Sequence, residues 1–218
     1  MSNTFVQRLR RLDACAVSDA LDKLKLPGAV TGLPQRSGST RIAGRAVTMK
    51  VGPGTAPTGP PKHLGCTAIE AAGPDDVIVV EQRSGIEAGC WGGLLTLGAR
   101  QRGVAGVVAD GPLRDVDEAI AYEFPIFSRS LTSFTARGRV VELGTQVTVT
   151  IGQVQVQPGV YVLADRSAVI FIAEHDIETV LDAAEIIVAK EAAMAKAILA
   201  GTPIGEVMGG HYELMLKG

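Results

Sequence analysis

Aromatic residues are scarce. Phe, Tyr and Trp make up 4% of the 218 residues, with a single Trp. Neither sign of charge is in excess, with 21 Lys and Arg against 23 Asp and Glu. That balance argues against a nucleic-acid or membrane surface. Only three cysteines occur, Cys15, Cys66 and Cys90. Their odd count and wide spacing, without a CxxC pair or a Cys/His zinc spacing, argue against a disulfide framework or a zinc knot. No run of about 18 apolar residues is present to form a membrane-spanning helix. The first residues, Met1-Ser2-Asn3-Thr4, carry no apolar signal core. The expected location is the cytoplasm.

What is present is Ala, Val and Gly in a globular proportion, 46% of the chain being hydrophobic. The length suits one domain over residues 1–218. Phe5 to Leu24 reads as two short helices, with Ser18 as an N-cap. Arg41 to Val51 reads as a strand. Short helices are expected at Leu64 to Ala72, Leu94 to Arg102 and Val116 to Tyr122. Between them lie short apolar strands at Val77 to Glu81, Val104 to Ala109 and Phe124 to Ser128. Asp110-Gly111-Pro112 is expected to be a turn. A β-rich stretch follows, then a long helix from Ile177 to Ala200 stopped by Gly201 and Pro203. Alternation of helix and apolar strand implies an α/β layered domain with some parallel strands.

The stretch GCWGGLLTLGARQRGVAGVVADGPLRDVDE, from Gly89 to Glu118, places Arg114 and Asp115 just beyond the carboxyl end of an apolar strand. Ligands of α/β sheets gather there. An arginine can hold a carboxylate through two parallel hydrogen bonds, and an aspartate is a hard ligand for Mg²⁺ or Mn²⁺. The plainer alternative is that Asp115 caps the next helix and Arg114 pairs with it or with Asp117. Gly92 and Gly93 precede a helix start, where free backbone N–H groups can hold an anion. Taken alone, those glycines read first as a plain loop-to-helix turn. Glu191 sits within the apolar stripe of the long helix, so it should meet a polar pocket, a cation or a subunit interface, or reach out to water. His63 is read as a loop histidine with general-base chemistry as the alternative. His175 and His211 show no partner. Asp110 either orients Arg114 or holds the turn, and no base near Cys90 suggests a thiolate.

These residues resemble the family of regulator-of-ribonuclease-activity-like proteins and 4-hydroxy-4-methyl-2-oxoglutarate aldolases. The strongest match is GLLTLGARQRGVAGVVADGPLRDVDE, supported by VSDALD from Val17 and RIAGRAVT from Arg41. The resemblance implies a three-layer β/β/α swivelling-type fold assembled as a homotrimer or a hexamer. It implies a class II lyase cleaving 4-hydroxy-2-oxo acids to pyruvate, with oxaloacetate decarboxylation as a side activity. Arg114 would contact pyruvate and Asp115 would ligate Mg²⁺ or Mn²⁺. The backbone of Gly92, Gly93, Leu94 and Leu95 would hold the pyruvate carboxylate, and Glu191 would come from a neighbouring subunit. Two positions depart from the aldolase pattern. Gly93 stands where those aldolases carry an acid, twenty-one positions before the arginine, and Cys66 stands where histidine is frequent. The alternatives are a non-catalytic trimeric regulator with a protein partner, or another metal-dependent oxo-acid reaction.

Overall fold

The computed structural model describes residues 4–55, 58 and 62–209. In chain order the elements are α1 (Thr4–Leu9), α2 (Ala14–Leu24), β1 (Ala29–Val30), β2 (Gln35–Ser37), β3 (Ile42–Gly52), α3 (Cys66–Ala71) and β4 (Asp76–Glu81). Next come α4 (Gly93–Gln101), β5 (Gly106–Leu113), α5 (Val116–Ala121), β6 (Ile126–Leu131) and β7 (Val141–Thr145). The chain continues through β8 (Val149–Ile151), β9 (Val154–Val156), β10 (Tyr161–Ala164), β11 (Val169–Ile172), α6 (Ile177–Leu199) and α7 (Ile204–Val207).

One large sheet runs in the order β1-β11-β10-β3-β4-β5-β6-β2, with β7 also paired to β3. Its centre, β3 to β6, is parallel, and the remaining pairings are antiparallel. Parallel strands need crossovers, and α3, α4 and α5 supply them. These three helices cover the face carrying Val47, Ile78, Val107 and Ile126. Further along the sheet, α1, α2 and α6 cover Ala43, Leu163, Ile170 and Ile172. On the other face, the β8–β9 hairpin packs on Val77, Val79, Val108 and Phe127. The result is the expected mixed α/β fold in three layers, sheet between hairpin and helices.

Two local expectations are corrected. Ser18 lies inside α2; the cap is Asp13, whose carboxylate accepts from Ala16 N–H at 2.9 Å. Asp13 wins because it precedes the apolar set Ala14, Ala16, Val17, Ala20 and Leu21, all buried. The other correction is at Asp110-Gly111-Pro112, which is strand, not turn. Past Asp110, β5 has outrun β4 and instead meets the 90–91 segment. Cys90 N–H donates to Pro112 O at 2.9 Å, and Trp91 bridges to Leu113. Proline is tolerated because it sits beside a bulge in the β5–β6 pairing.

Arg8 of α1 and Arg10 just after it form ion pairs across the fold. Arg8 pairs with Asp182 and Glu185 of α6, and Arg10 with Asp75. His211 lies outside the described residues, as does part of the Pro-rich loop after Gly52. Among the described residues, no helix is long and apolar enough to cross a membrane.

Candidate functional site

The site forms where the end of β5 meets the loop before α4. That loop is built from within. The Gln82 amide donates to Ile86 O and Ala88 O, at 2.8 and 3.1 Å, and its carbonyl accepts from Ser84. Trp91 is fully buried, and its Nε1–H donates to Thr96 Oγ1 at 3.0 Å. Thr96 Oγ1 in turn donates to Gly92 O at 2.9 Å, which closes the first turn of α4. Arg114 N–H donates to Trp91 O at 3.0 Å, so the buried indole also registers the end of β5.

Asp115 has a left-handed backbone, φ 57°, a conformation costly for a residue with a side chain. Its side chain does not cap α5. Instead Oδ2 accepts from Gly93 N–H at 3.0 Å, while Oδ1 accepts from Arg114 Nε at 3.2 Å. The plain capping alternative therefore fails, while the Arg114–Asp115 pairing is real. Of the expected backbone donors at the start of α4, Gly93 is committed to Asp115. Leu94 and Leu95 N–H have no acceptor among the described residues. Leu94 also exposes 84% of its surface beside them.

Three glycines make the room. A Cβ on Gly89 would come within 2.9 Å of Arg114 Cγ, and one on Gly92 within 2.8 Å of Asp115 Oδ2. At Gly93 a Cβ would stand 1.8 Å from Glu118 Oε2. The Glu118 carboxylate thus fills the space that a side chain at position 93 would occupy. Sequence reading missed Glu118. Its place three residues after Asp115, in the first turn of α5, does not by itself single it out. No hydrogen-bond partner engages the Glu118 carboxylate among the described residues.

The other candidates divide. His63 lies at the surface. Desolvation, then the charges of Arg137 and Arg114, hold its imidazole below the usual pKa, so it stands within electrostatic reach of the site. Asp110 does not orient Arg114; it binds Arg129, Gly152 N–H and, more loosely, Arg83. Cys90 is buried, its thiol pushed up to about 12 by burial, which agrees with the absence of a thiolate. His175 is exposed and pairs with Asp176 at 3.3 Å. Glu191 is exposed on α6 and does not join the Arg114 group within the protomer. Desolvation first, then Asp13 and Asp19, raise its pKa.

Among the described residues, no cluster of three His, Cys, Asp or Glu side chains could hold a metal. Asp115 and Glu118 provide two carboxylates. Mg²⁺ and Mn²⁺ commonly take one or two carboxylates from the protein and the rest from water and substrate, so the donor set fits such an ion.

Known proteins resemble this chain in sequence and fold. The chain is 26% identical over 200 residues to Protein DlpA of Legionella pneumophila, covering 92% of this chain but 32% of DlpA. It thus spans about a third of the length of that relative. It is 29% identical over 196 residues to a Halalkalibacterium halodurans protein named "Putative 4-hydroxy-4-methyl-2-oxoglutarate aldolase", covering 89% of this chain and 88% of that one. The crystal structure of an uncharacterized protein from Pseudomonas syringae pv. tomato superposes with a TM-score of 0.85 at 25% identity, covering 96% of this chain and 98% of the other. Residues 14–171, which hold every site residue described above except Glu191 and His175, match the family model described as Aldolase/RraA, and the chain belongs to the RraA-like family.

Proposed function

We propose that the chain is a divalent-metal-dependent lyase that cleaves 4-hydroxy-2-oxo acids to pyruvate and also decarboxylates oxaloacetate. The observation that carries this reading is Glu118 in the space above Gly93. The acid missing at position 93 has a spatial replacement, beside an intact Arg114–Asp115 pair.

Asp115 would hold the cation, with Glu118 reaching it only through water. When bound there, it would act as a Lewis acid on the keto oxygen of the substrate. Arg114 lies where its remaining N–H groups can face the substrate's carboxylate or keto oxygen, and the N–H groups of Leu94 and Leu95 add neutral donors. In aldol cleavage the 4-hydroxyl loses its proton, the C3–C4 bond breaks, and its electron pair passes toward the keto oxygen. Glu118, without a partner of its own, is the group that takes that proton, directly or through one water. The proton is later returned to C3. Oxaloacetate loses CO₂ along the same electron path and needs no base.

Glu191 is proposed to complete the site of a neighbouring copy in a ring-shaped trimer. Its exposure, and the lack of a cation beside it among the described residues, support this. The regulator alternative drew on Gly93, and Glu118 in that space weighs against it.

Pyruvate release tests the reading. Purified protein with Mg²⁺ or Mn²⁺ should release pyruvate from both substrates. Chelator should stop it, and Asp115→Ala should abolish it. Glu118→Gln should slow aldol cleavage by about 100-fold and oxaloacetate decarboxylation less. Absence of release from either substrate with either metal would overturn the lyase and favour the regulator.

A further inference from the structure

A pair of arginines converges on Asp110 of β5, beside the β8–β9 hairpin. The Asp110 carboxylate is the centre of this group, with 5% of its side chain exposed. Its Oδ1 accepts from Arg129 Nε at 2.8 Å, and its Oδ2 from Gly152 N–H at 2.7 Å. Both oxygens are therefore satisfied without Arg83. Arg83 Nε stands 3.6 Å from Oδ2, close enough for attraction and too far for a hydrogen bond. Among the described residues, no acceptor takes an N–H of the Arg83 guanidinium.

Arg129 is fixed by contrast. Its Nη1 donates to Gly32 O at 3.0 Å and approaches Thr31 O at 3.5 Å. A Cβ on Gly32 would come within 2.8 Å of that same Nη1, so the glycine clears the path for the guanidinium. Holding the loop and hairpin to β5 takes only Arg129 and Asp110. The second arginine serves no described contact of that kind.

A cleft of about 370 Å³ opens between the two guanidinium groups, lined also by Thr31 and Gln153. Two cations against one carboxylate leave one positive charge in a concave, polar space. Arg129 Nη2 and the outer edge of Arg83 remain as donors. A guanidinium edge presents parallel N–H groups that match two oxygens of a phosphate or carboxylate.

We propose that this cleft is a second ligand site, which binds a small oxyanion between Arg83 and Arg129. Inorganic phosphate and a short dicarboxylate share the required chemistry. The site does not depend on the lyase reading. It would still bear on Arg114. Arg83 follows Gln82, whose side chain organises the loop leading to Gly89, and Gly89 packs against Arg114. An anion that anchors Arg83 would steady that loop.

Calorimetric titration of the purified chain, at low ionic strength with chloride as the only other anion, tests the site. Inorganic phosphate and succinate are titrated separately, and the tighter of the two identifies the ligand class. The expected result is saturable binding of one anion per chain. Arg83→Gln should weaken it by about tenfold or more, as loss of a charge-assisted pair requires. Arg114→Gln should leave it unchanged. The Arg83 side chain is 39% exposed, so the Gln variant should fold, and its circular dichroism and melting temperature check that it has. Two results would overturn the proposal. One is no saturable binding of either probe. The other is binding that survives Arg83→Gln and is lost with Arg114→Gln, which would put the anion beside Asp115.

Discussion

Position 93 and position 118 compete for one volume. A side chain at 93 would begin 1.8 Å from a Glu118 oxygen, well inside contact distance. Gly93→Ala should therefore push Glu118 aside and lower aldol cleavage about as much as Glu118→Gln does. The double variant Gly93→Asp with Glu118→Ala moves the acid back across the gap. It should recover pyruvate release relative to Glu118→Ala alone, measured as kcat with Mg²⁺. If the double variant is no better than the single one, the two positions are not interchangeable. The Arg114–Asp115 pair was legible in the sequence because its residue types and its place after a strand already suggested chemistry. Glu118 was not. Its role depends on a missing side chain twenty-five residues earlier, and closeness across a fold leaves no mark in local spacing.

Helix and strand were read well where burial follows the apolar pattern, a one-sided stripe in α6 and almost wholly buried runs in β3 and β4. The long helix and the central strands fell within a few residues of α6, β3 and β4. The reading failed where partners came from elsewhere. Gly111 and Pro112 signal a turn, yet Cys90 and Trp91 supply the pairing that keeps them extended. Trp91 is the element that couples α4 to β5. Trp91→Ala should cost about 3–5 kcal/mol by denaturant unfolding, and it should loosen the site as well, since Arg114 N–H bonds to Trp91 O. The α2 helix carries an opposite test. Desolvation, then Asp22 and Asp13, raise the Asp19 pKa. A raised folded-state pKa means the native state binds the proton more tightly than the unfolded chain. Its penalty is absent below the unfolded pKa and full above the folded one. Asp19→Asn should thus raise the unfolding midpoint at neutral pH and leave it unchanged below the carboxylate range.

Across the whole molecule, the family match ends at residue 171, before α6 begins. The end of that helix and the segment after it expose Leu199, Ile204 and Met208, and Leu94 stands exposed beside the candidate site. Apolar side chains of this size gathered at a surface commonly mark contact with another molecule. A second copy would also bring a Glu191. Subunit mixing reads this directly. Arg114→Gln and Glu191→Gln chains should each be impaired, by about tenfold or more for a lost catalytic group. Mixing them after dissociation should regain activity, because some sites then receive both intact residues. No regain would mean that Glu191 does not serve a neighbour. The layers of the fold were legible from alternation of helix and strand. Which exposed face would meet a copy was not, because a single chain's pattern carries no mark of it.

The steric exclusion at Gly93 also constrains ancestry. A chain cannot hold an extended acid at both positions in this geometry, so no lineage can pass from one arrangement to the other by first keeping both as they are now packed. The route must run through a relative with neither acid in place, or with one swung out to solvent, and activity would dip on the way. If Glu118 takes over the role of that acid, a comparison of relatives made one column at a time would record as a loss what would be a relocation.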